Sequence, residues 1–148
     1  MKFMEREVRD WLRSEVGGEH PITWVEPSRG STAGAADAFL AYRSRLWPIE
    51  AKVATPGLKG KIQPVVRPLQ RNWHRRMAAS GVETFLLIGV EVEEDKLLIL
   101  VSWRWFLGVG GSIMVGGWSG MDSLTNRLDA VIKKNEVITP CLVGQIGR

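Results

Sequence analysis

Residues 34–53 read Gly-Ala-Ala-Asp-Ala-Phe-Leu-Ala-Tyr-Arg-Ser-Arg-Leu-Trp-Pro-Ile-Glu-Ala-Lys-Val, two largely apolar runs around a polar break near Ser44. This is the pattern of a β-hairpin, with strands over 37–43 and 46–53. Side chains alternate along a strand, so Glu50 and Lys52 share one face while Ile49, Ala51 and Val53 share the other. Asp37 opens the first strand. Two carboxylates and an ammonium converging across a hairpin repel and lose hydration unless a cation, such as a metal ion, lies among them. Chemistry is therefore expected here first. Pro48 cannot donate to a ladder, so one side of the second strand is expected to be unpaired or bulged there.

Upstream, residues 3–16 have helical spacing, with Met4, Val8, Trp11, Leu12 and Val16 on one face. At about 100° per residue Glu5 falls inside that arc, as does Glu15, whereas Glu7 falls outside it. Glu5 is thus either a cap-proximal charge or a ligand. Gly17 and Gly18 end the helix, 22–26 reads as a short strand, and 27–34 is a loop rich in Ser, Gly and Thr.

Downstream, 54–67 lacks periodicity and carries Lys59, Lys61 and Arg67 among prolines and glycines. It is either a solvated connection or a basic loop able to close over phosphates. Pro68 opens a helix to Ser80, with Leu69, Trp73 and Met77 as its expected core stripe. Gln70 and His74 lie along one margin of that stripe, and Arg71 and Arg75 lie on the opposite face. His74 has the chemistry of a metal ligand or base, but a helical histidine beside a glutamine is better read as structural or phosphate-contacting. Strands are expected over 83–92 and 96–106, with Trp103 and Trp105 on one strand face. An irregular glycine-rich segment follows over 108–120, then a helix capped by Asp122 or Ser123 through about Lys134, and an edge strand over 137–143.

The 148 residues suit one domain, with a core over about 4–106 and a C-terminal glycine-rich segment plus helix over 107–148. Apolar residues make up 45% and charged residues 24%, as in ordinary globular proteins. The net charge of +4 suits an anionic partner. Cys141 is the only cysteine, which excludes an internal disulfide and cysteine-based zinc sites and points to a reducing compartment. Lys2, Glu5, Arg6 and Glu7 stand where a secretory leader would be apolar, and no apolar run approaches a bilayer's thickness. A cytoplasmic protein with no membrane association is expected.

The order helix, acid-bearing hairpin, helix, two strands resembles the PD-(D/E)XK nuclease superfamily. The matching residues are Glu5 on the first helix, Gly34-Ala-Ala-Asp37, Glu50-Ala51-Lys52, Gln70 on the following helix, then Gly81-Val82 and the apolar strand 85–88. The likeness covers about residues 4–90 and is closest to Holliday-junction resolvases and virus-type replication-repair nucleases, often phage-borne. Ala36 stands where the family name has proline. The resemblance implies an α/β fold with a restriction-endonuclease-like core, αβββαβ, whose mixed sheet is flanked by helices.

It also implies a metal-dependent DNA endonuclease with Glu5, Asp37, Glu50, Lys52 and Gln70 as catalytic residues. Mg²⁺, which Mn²⁺ would replace, is hard and oxygen-seeking, so Asp37, Glu50, the Ala51 carbonyl and Glu5 form the implied ligand set. Lys52 would position water or stabilise the pentacovalent charge, and Gln70 would contact the scissile phosphate or hold Lys52. Arg29, Ser31, Lys59, Lys61, Arg67, Arg71, His74 and Arg75 are candidates for DNA contacts. Branched DNA, such as a four-way junction, is the expected substrate, in a bacterial or phage-infected cell. Resolving a junction symmetrically takes two cuts, hence a homodimer, for which 106–118 is the candidate contact. The alternatives are a sequence-specific restriction or homing-type endonuclease, and a non-catalytic DNA-binding module retaining the fold. Seven tryptophans offer stacking surfaces to such a module, although several belong to the expected core.

Overall fold

A computed structural model of the chain describes residues 3–25 and 34–147. In chain order these form α1 (Glu5–Glu15), β1 (Ile22–Trp24), β2 (Ala38–Tyr42), β3 (Arg45–Ala54), β4 (Lys61–Ile62), α2 (Pro68–Ala79), β5 (Phe85–Val92), β6 (Asp95–Ser102), α3 (Trp103–Gly108), β7 (Ile113–Met114), α4 (Leu124–Lys134) and β8 (Cys141–Ile146). Among the described residues the architecture is mixed α/β: four helices and a mostly antiparallel six-stranded sheet in the order β1-β2-β3-β5-β6-β8. The one parallel pair in it is β3–β5, joined through α2. A separate two-stranded ribbon pairs β4 with β7. No helix among the described residues is long and apolar enough to cross a membrane.

The hairpin turns on Arg43 and Ser44, both at positive φ (53° and 65°), between the paired residues Tyr42 and Arg45. Two left-handed residues are what the right-handed twist of a two-residue hairpin demands. The register then runs without a shift from Tyr42↔Arg45 to Ala38↔Ile49. Hydrogen-bonded and non-hydrogen-bonded pairs alternate from that turn, so Pro48, opposite Phe39, falls in a non-bonded pair. Pairing with β5 begins only at Ile49. The missing Pro48 N–H thus points where no strand lies, and no bulge is needed.

Each face of the sheet has its own core. On one, Val8 and Leu12 of α1 and Leu124 and Leu128 of α4 pack over Leu40, Trp47, Ile49, Phe85 and Leu87. On the other, Leu86, Ile88, Val90, Ile99 and Val101 meet Trp103 and Phe106 of α3 and Ile62 and Ile113 of the ribbon. α2 lies on this second face, Trp73 standing edge-on to Phe39 and His74 stacked on Trp103. Glu50 and Lys52, paired with Leu86 and Ile88, share that face and so lie under α2.

Three expectations are corrected. The strand predicted over 96–106 stops at Ser102, which is tied to Ile138: Ser102 N donates to the Ile138 carbonyl at 2.8 Å and Ile138 N donates to Ser102 Oγ at 2.7 Å. Trp103 and Trp105 therefore belong to the short helix α3, not to a strand face. The C-terminal edge strand begins at Cys141 and pairs with β6 through an irregularity at Leu98/Ile99. Leu69, expected in the stripe of α2, is 61% exposed, and the buried side chain of that helix is His74.

α1 sits so close to the sheet that a Cβ on Gly89 would lie 2.7 Å from Val8 Cγ2 and 2.8 Å from Phe3 Cζ. Gly89→Ala is expected to lower stability by about 1–3 kcal/mol through overpacking, read as a lower midpoint in urea unfolding.

Candidate functional site

Strand β2 stops pairing with β3 at Ala38↔Ile49, whereas β3 continues to Ala54. Beyond Ile49 the β2-side edge of β3 is open. Asp37, the residue just before β2, fills the first place along it: Asp37 Oδ2 accepts a 2.8 Å bond from Ala51 N where the next ladder bond would have formed. The N–H and C=O of a strand residue leave toward the same edge, so the Ala51 carbonyl lies on the Asp37 side as well. The segment leading to Asp37 is pinned against α2 by Gly34, which has φ +81° and whose added Cβ would stand 2.2 Å from the Leu69 carbonyl oxygen. Only glycine tolerates both. The first turn of α2, with Gln70, is thereby held beside the hairpin.

The charged residues of β3 are deeply placed. Glu50 is 0% and Lys52 4% exposed. Lys52 Nζ donates to Gln70 Oε1 at 2.8 Å and lies 3.5 Å from Glu50 Oε2. Gln70 Oε1 also accepts from Arg67 N at 3.0 Å, so one oxygen both caps α2 and anchors the lysine. The other carboxylate oxygen, Glu50 Oε1, lies 3.1 Å from His74 Nε2, and His74 Nδ1 lies 2.8 Å from Thr84 Oγ1. Glu50 Oε2 is buried with no hydrogen-bond partner, the lysine being within ion-pair but not hydrogen-bond geometry.

Asp37 is held above the ordinary aspartate range, chiefly by burial. The bond from Ala51 N opposes this, the charge of Glu50 adds to it, and Arg9 and Glu5 act as weaker opposite influences. Glu5 is thus on the Asp37 side of the molecule, at the start of α1, together with Arg9 one turn on. Glu15 is exposed, and Glu26 lies outside the described residues.

Among the described residues no group of three or more His, Cys, Asp and Glu side chains is arranged to hold a metal ion. Mg²⁺ is nevertheless bound through as few as one or two carboxylates, with waters and substrate oxygens completing its shell. The residues present fit such an ion: a buried carboxylate oxygen lacks a partner, a second carboxyl is held above its ordinary range chiefly by burial and further by the charge of Glu50, and a backbone carbonyl faces the same open edge.

The structure thus brings Asp37, Glu50, Ala51, Lys52 and Gln70 together. Lys59, Lys61, Arg67, Arg71 and Arg75 are exposed, and Arg71 borders a groove of about 560 Å³ also lined by Gln63, Val65, Trp103 and Phe106. Arg29 and Ser31 lie outside the described residues. His74 does not fit the phosphate contact expected of it, because its ring has no exposed surface and both nitrogens are engaged inside the protein. Of the segment expected to form a subunit contact, Phe106 and Ile113 point into the core, while Leu107, Val109, Met114 and Val115 are exposed. Sequence reasoning missed Thr84 and Arg9. Counting back by twos from Leu86 puts Thr84 on the face of α2, and Arg9 is one helical turn from Glu5, so both were accessible to periodicity. Comparison of the chain with protein-family models and with curated proteins returns no match.

A raised aspartate pKa means that the folded protein holds this proton more tightly than the unfolded chain does. Its stabilising contribution is complete below the ordinary value, about 3.9, and is lost as pH rises through the folded value. In chelator-treated buffer, Asp37→Asn is therefore expected to melt above the wild type at neutral pH, the Asn oxygen still accepting from Ala51 N. Thermal melts across pH should show this gap closing in acid.

Proposed function

We propose that the chain is a metal-dependent DNA endonuclease with a restriction-endonuclease-like core, acting on branched DNA in the manner of Holliday-junction resolvases. The observation that carries this reading is the convergence of Asp37, Glu50, Lys52 and Gln70 where β3 loses its β2 partner. The element order supports it: with β4 of the separate ribbon set aside, α1, three antiparallel strands, a crossover helix and β5 parallel to β3 succeed one another as an αβββαβ core would require. The net charge of +4 and the exposed Lys59, Lys61, Arg67, Arg71 and Arg75 supply sequence-independent attraction to a phosphate backbone.

Asp37, Glu50 and the Ala51 carbonyl, with Glu5 as a helper, would hold Mg²⁺ or Mn²⁺, which would supply neutralisation of phosphoryl charge and a water of lowered pKa. The protein's own groups do the rest. Lys52 presents three N–H donors, of which one goes to Gln70 and one faces Glu50, leaving the third for the attacking water or a phosphoryl oxygen. Because it is buried and anchored, this donor needs no reorganisation as charge develops in the transition state. Gln70 commits its oxygen to Lys52 and Arg67 N, so its amide N–H groups remain to bond a phosphate oxygen. In the hydrolysis the water oxygen forms a bond to phosphorus and gives up one proton to solvent, one P–O ester bond breaks, and the departing alkoxide takes up a proton from solvent in exchange. Symmetric cutting of a junction requires two such centres and hence a homodimer.

Incubation with linear duplex, single strand, flap and four-way junction, with and without Mg²⁺ or Mn²⁺, tests the reading. Metal-dependent cleavage favouring the junction is expected. Cutting at one discrete site irrespective of branching would instead indicate a sequence-specific enzyme, and metal-independent binding without cleavage a binding module. Asp37→Asn and Lys52→Met should lower the cleavage rate by at least about 10²–10³-fold, the usual cost of losing one transition-state donor, while junction binding by gel shift persists. Wild-type-like cutting by either folded variant would remove that residue from the site.

A further inference from the structure

Glu50 does not meet its surroundings symmetrically, and the asymmetry is built by His74, expected to be structural or phosphate-contacting, and by Thr84, which no expectation placed in the site. Oε1 lies 3.1 Å from His74 Nε2, whereas Oε2 is buried without a hydrogen-bond partner and faces Lys52 at 3.5 Å. An ionised carboxylate only accepts, so the 3.1 Å contact requires the His74 proton on Nε2. Thr84 Oγ1, 2.8 Å from Nδ1, satisfies the other nitrogen, since a hydroxyl donates to a bare nitrogen as readily as it accepts from a protonated one. The ring cannot turn away. It is stacked on Trp103 with centroids 4.5 Å apart and planes 18° from parallel, and Trp73 stands edge-on to it at 5.1 Å. His74, Thr84 and Glu50 are all essentially inaccessible, at 0%, 2% and 0% exposure.

We propose that Thr84 and His74 form a positioning pair that occupies Glu50 Oε1 and presents Oε2 alone as a metal-binding oxygen beside Lys52. This inference rests on the metal-dependent reading above. It adds that Glu50 is a one-oxygen ligand whose orientation is set from behind, by groups that touch neither substrate nor metal. Partners of this kind, placed behind a ligating group, typically change metal affinity by about 10–100-fold when removed.

The test is Mn²⁺ binding to the full-length protein, measured calorimetrically without DNA, for wild type, His74→Ala, His74→Gln and Thr84→Val. Fold and melting temperature are checked for each. His74→Ala is expected to bind Mn²⁺ about 10–100-fold more weakly. His74→Gln, which keeps an N–H donor toward Glu50, should recover part of the loss, and Thr84→Val should fall between wild type and His74→Ala. Long-range ¹H–¹⁵N NMR on the unmodified protein should find a proton on His74 Nε2. This readout decides the matter even if His74→Ala fails to fold. A folded His74→Ala that binds Mn²⁺ as tightly as wild type, or a bare Nε2, overturns the positioning pair and leaves the nuclease reading standing. Wild-type protein that binds no Mn²⁺ overturns both. Wild type that binds Mn²⁺ with the expected variant order, yet cleaves no DNA, supports the pair and overturns the nuclease.

Discussion

A carboxylate with no exposed surface stands on β3, one of the two central strands of this sheet, and much of the second face is arranged to make that tolerable. Removing an ion from water costs several kcal/mol even after relaxation. Glu50 recovers this through Lys52 on its own strand and His74 on α2. Each of these needs a partner in turn, which Gln70 and Thr84 supply. The placement of α2 over β3 follows from these polar contacts as well as from Trp73 against Phe39. A purely apolar face would have packed with less constraint, so the network represents stability given up for a fixed arrangement of charge. That is the usual condition of groups whose work is electrostatic.

Where the chain's own periodicity was strong, the fold was legible. The hairpin, its turn at Ser44, α1, α2 and α4 with its Ser123 cap all lie within a residue or two of where alternation, helical spacing and capping residues put them. What could not be read was long-range. The end of β6 is decided by Ser102 pairing with Ile138, 36 residues away, and no local signal in Trp103–Phe106 announces a helix. The C-terminal edge strand was likewise displaced because its register depends on β6 rather than on its own pattern.

The site divides along the same line. Asp37, Glu50, Lys52 and Gln70 were legible because two-residue alternation and a helix start confine where they can point. His74 was left between a structural and a phosphate-contacting role because its surroundings, not its spacing, decide between them. A histidine between a glutamate and a threonine under a tryptophan is an interior group, whereas the same residue on a bare helix margin would face solvent. The bond from Ala51 N to Asp37 could not be foreseen either, since it depends on β2 ending one residue short of the acid.

The outer strands carry a consequence for the protein's behaviour at high concentration. An unpaired strand invites another chain to add to it, and long flat edges are templates for fibrils. Here β1 is three residues long, and its preceding residue, Pro21, turns its carbonyl inward to Ala41 N. At the opposite margin the β6–β8 ladder is broken by the irregularity at Leu98/Ile99, which twists β8 away from a straight row of donors. Within the sheet, the first place on β3 that β2 leaves uncovered is taken by an aspartate rather than left bare. Among the described residues the sheet thus offers no uninterrupted ladder on which copies of the chain could polymerise.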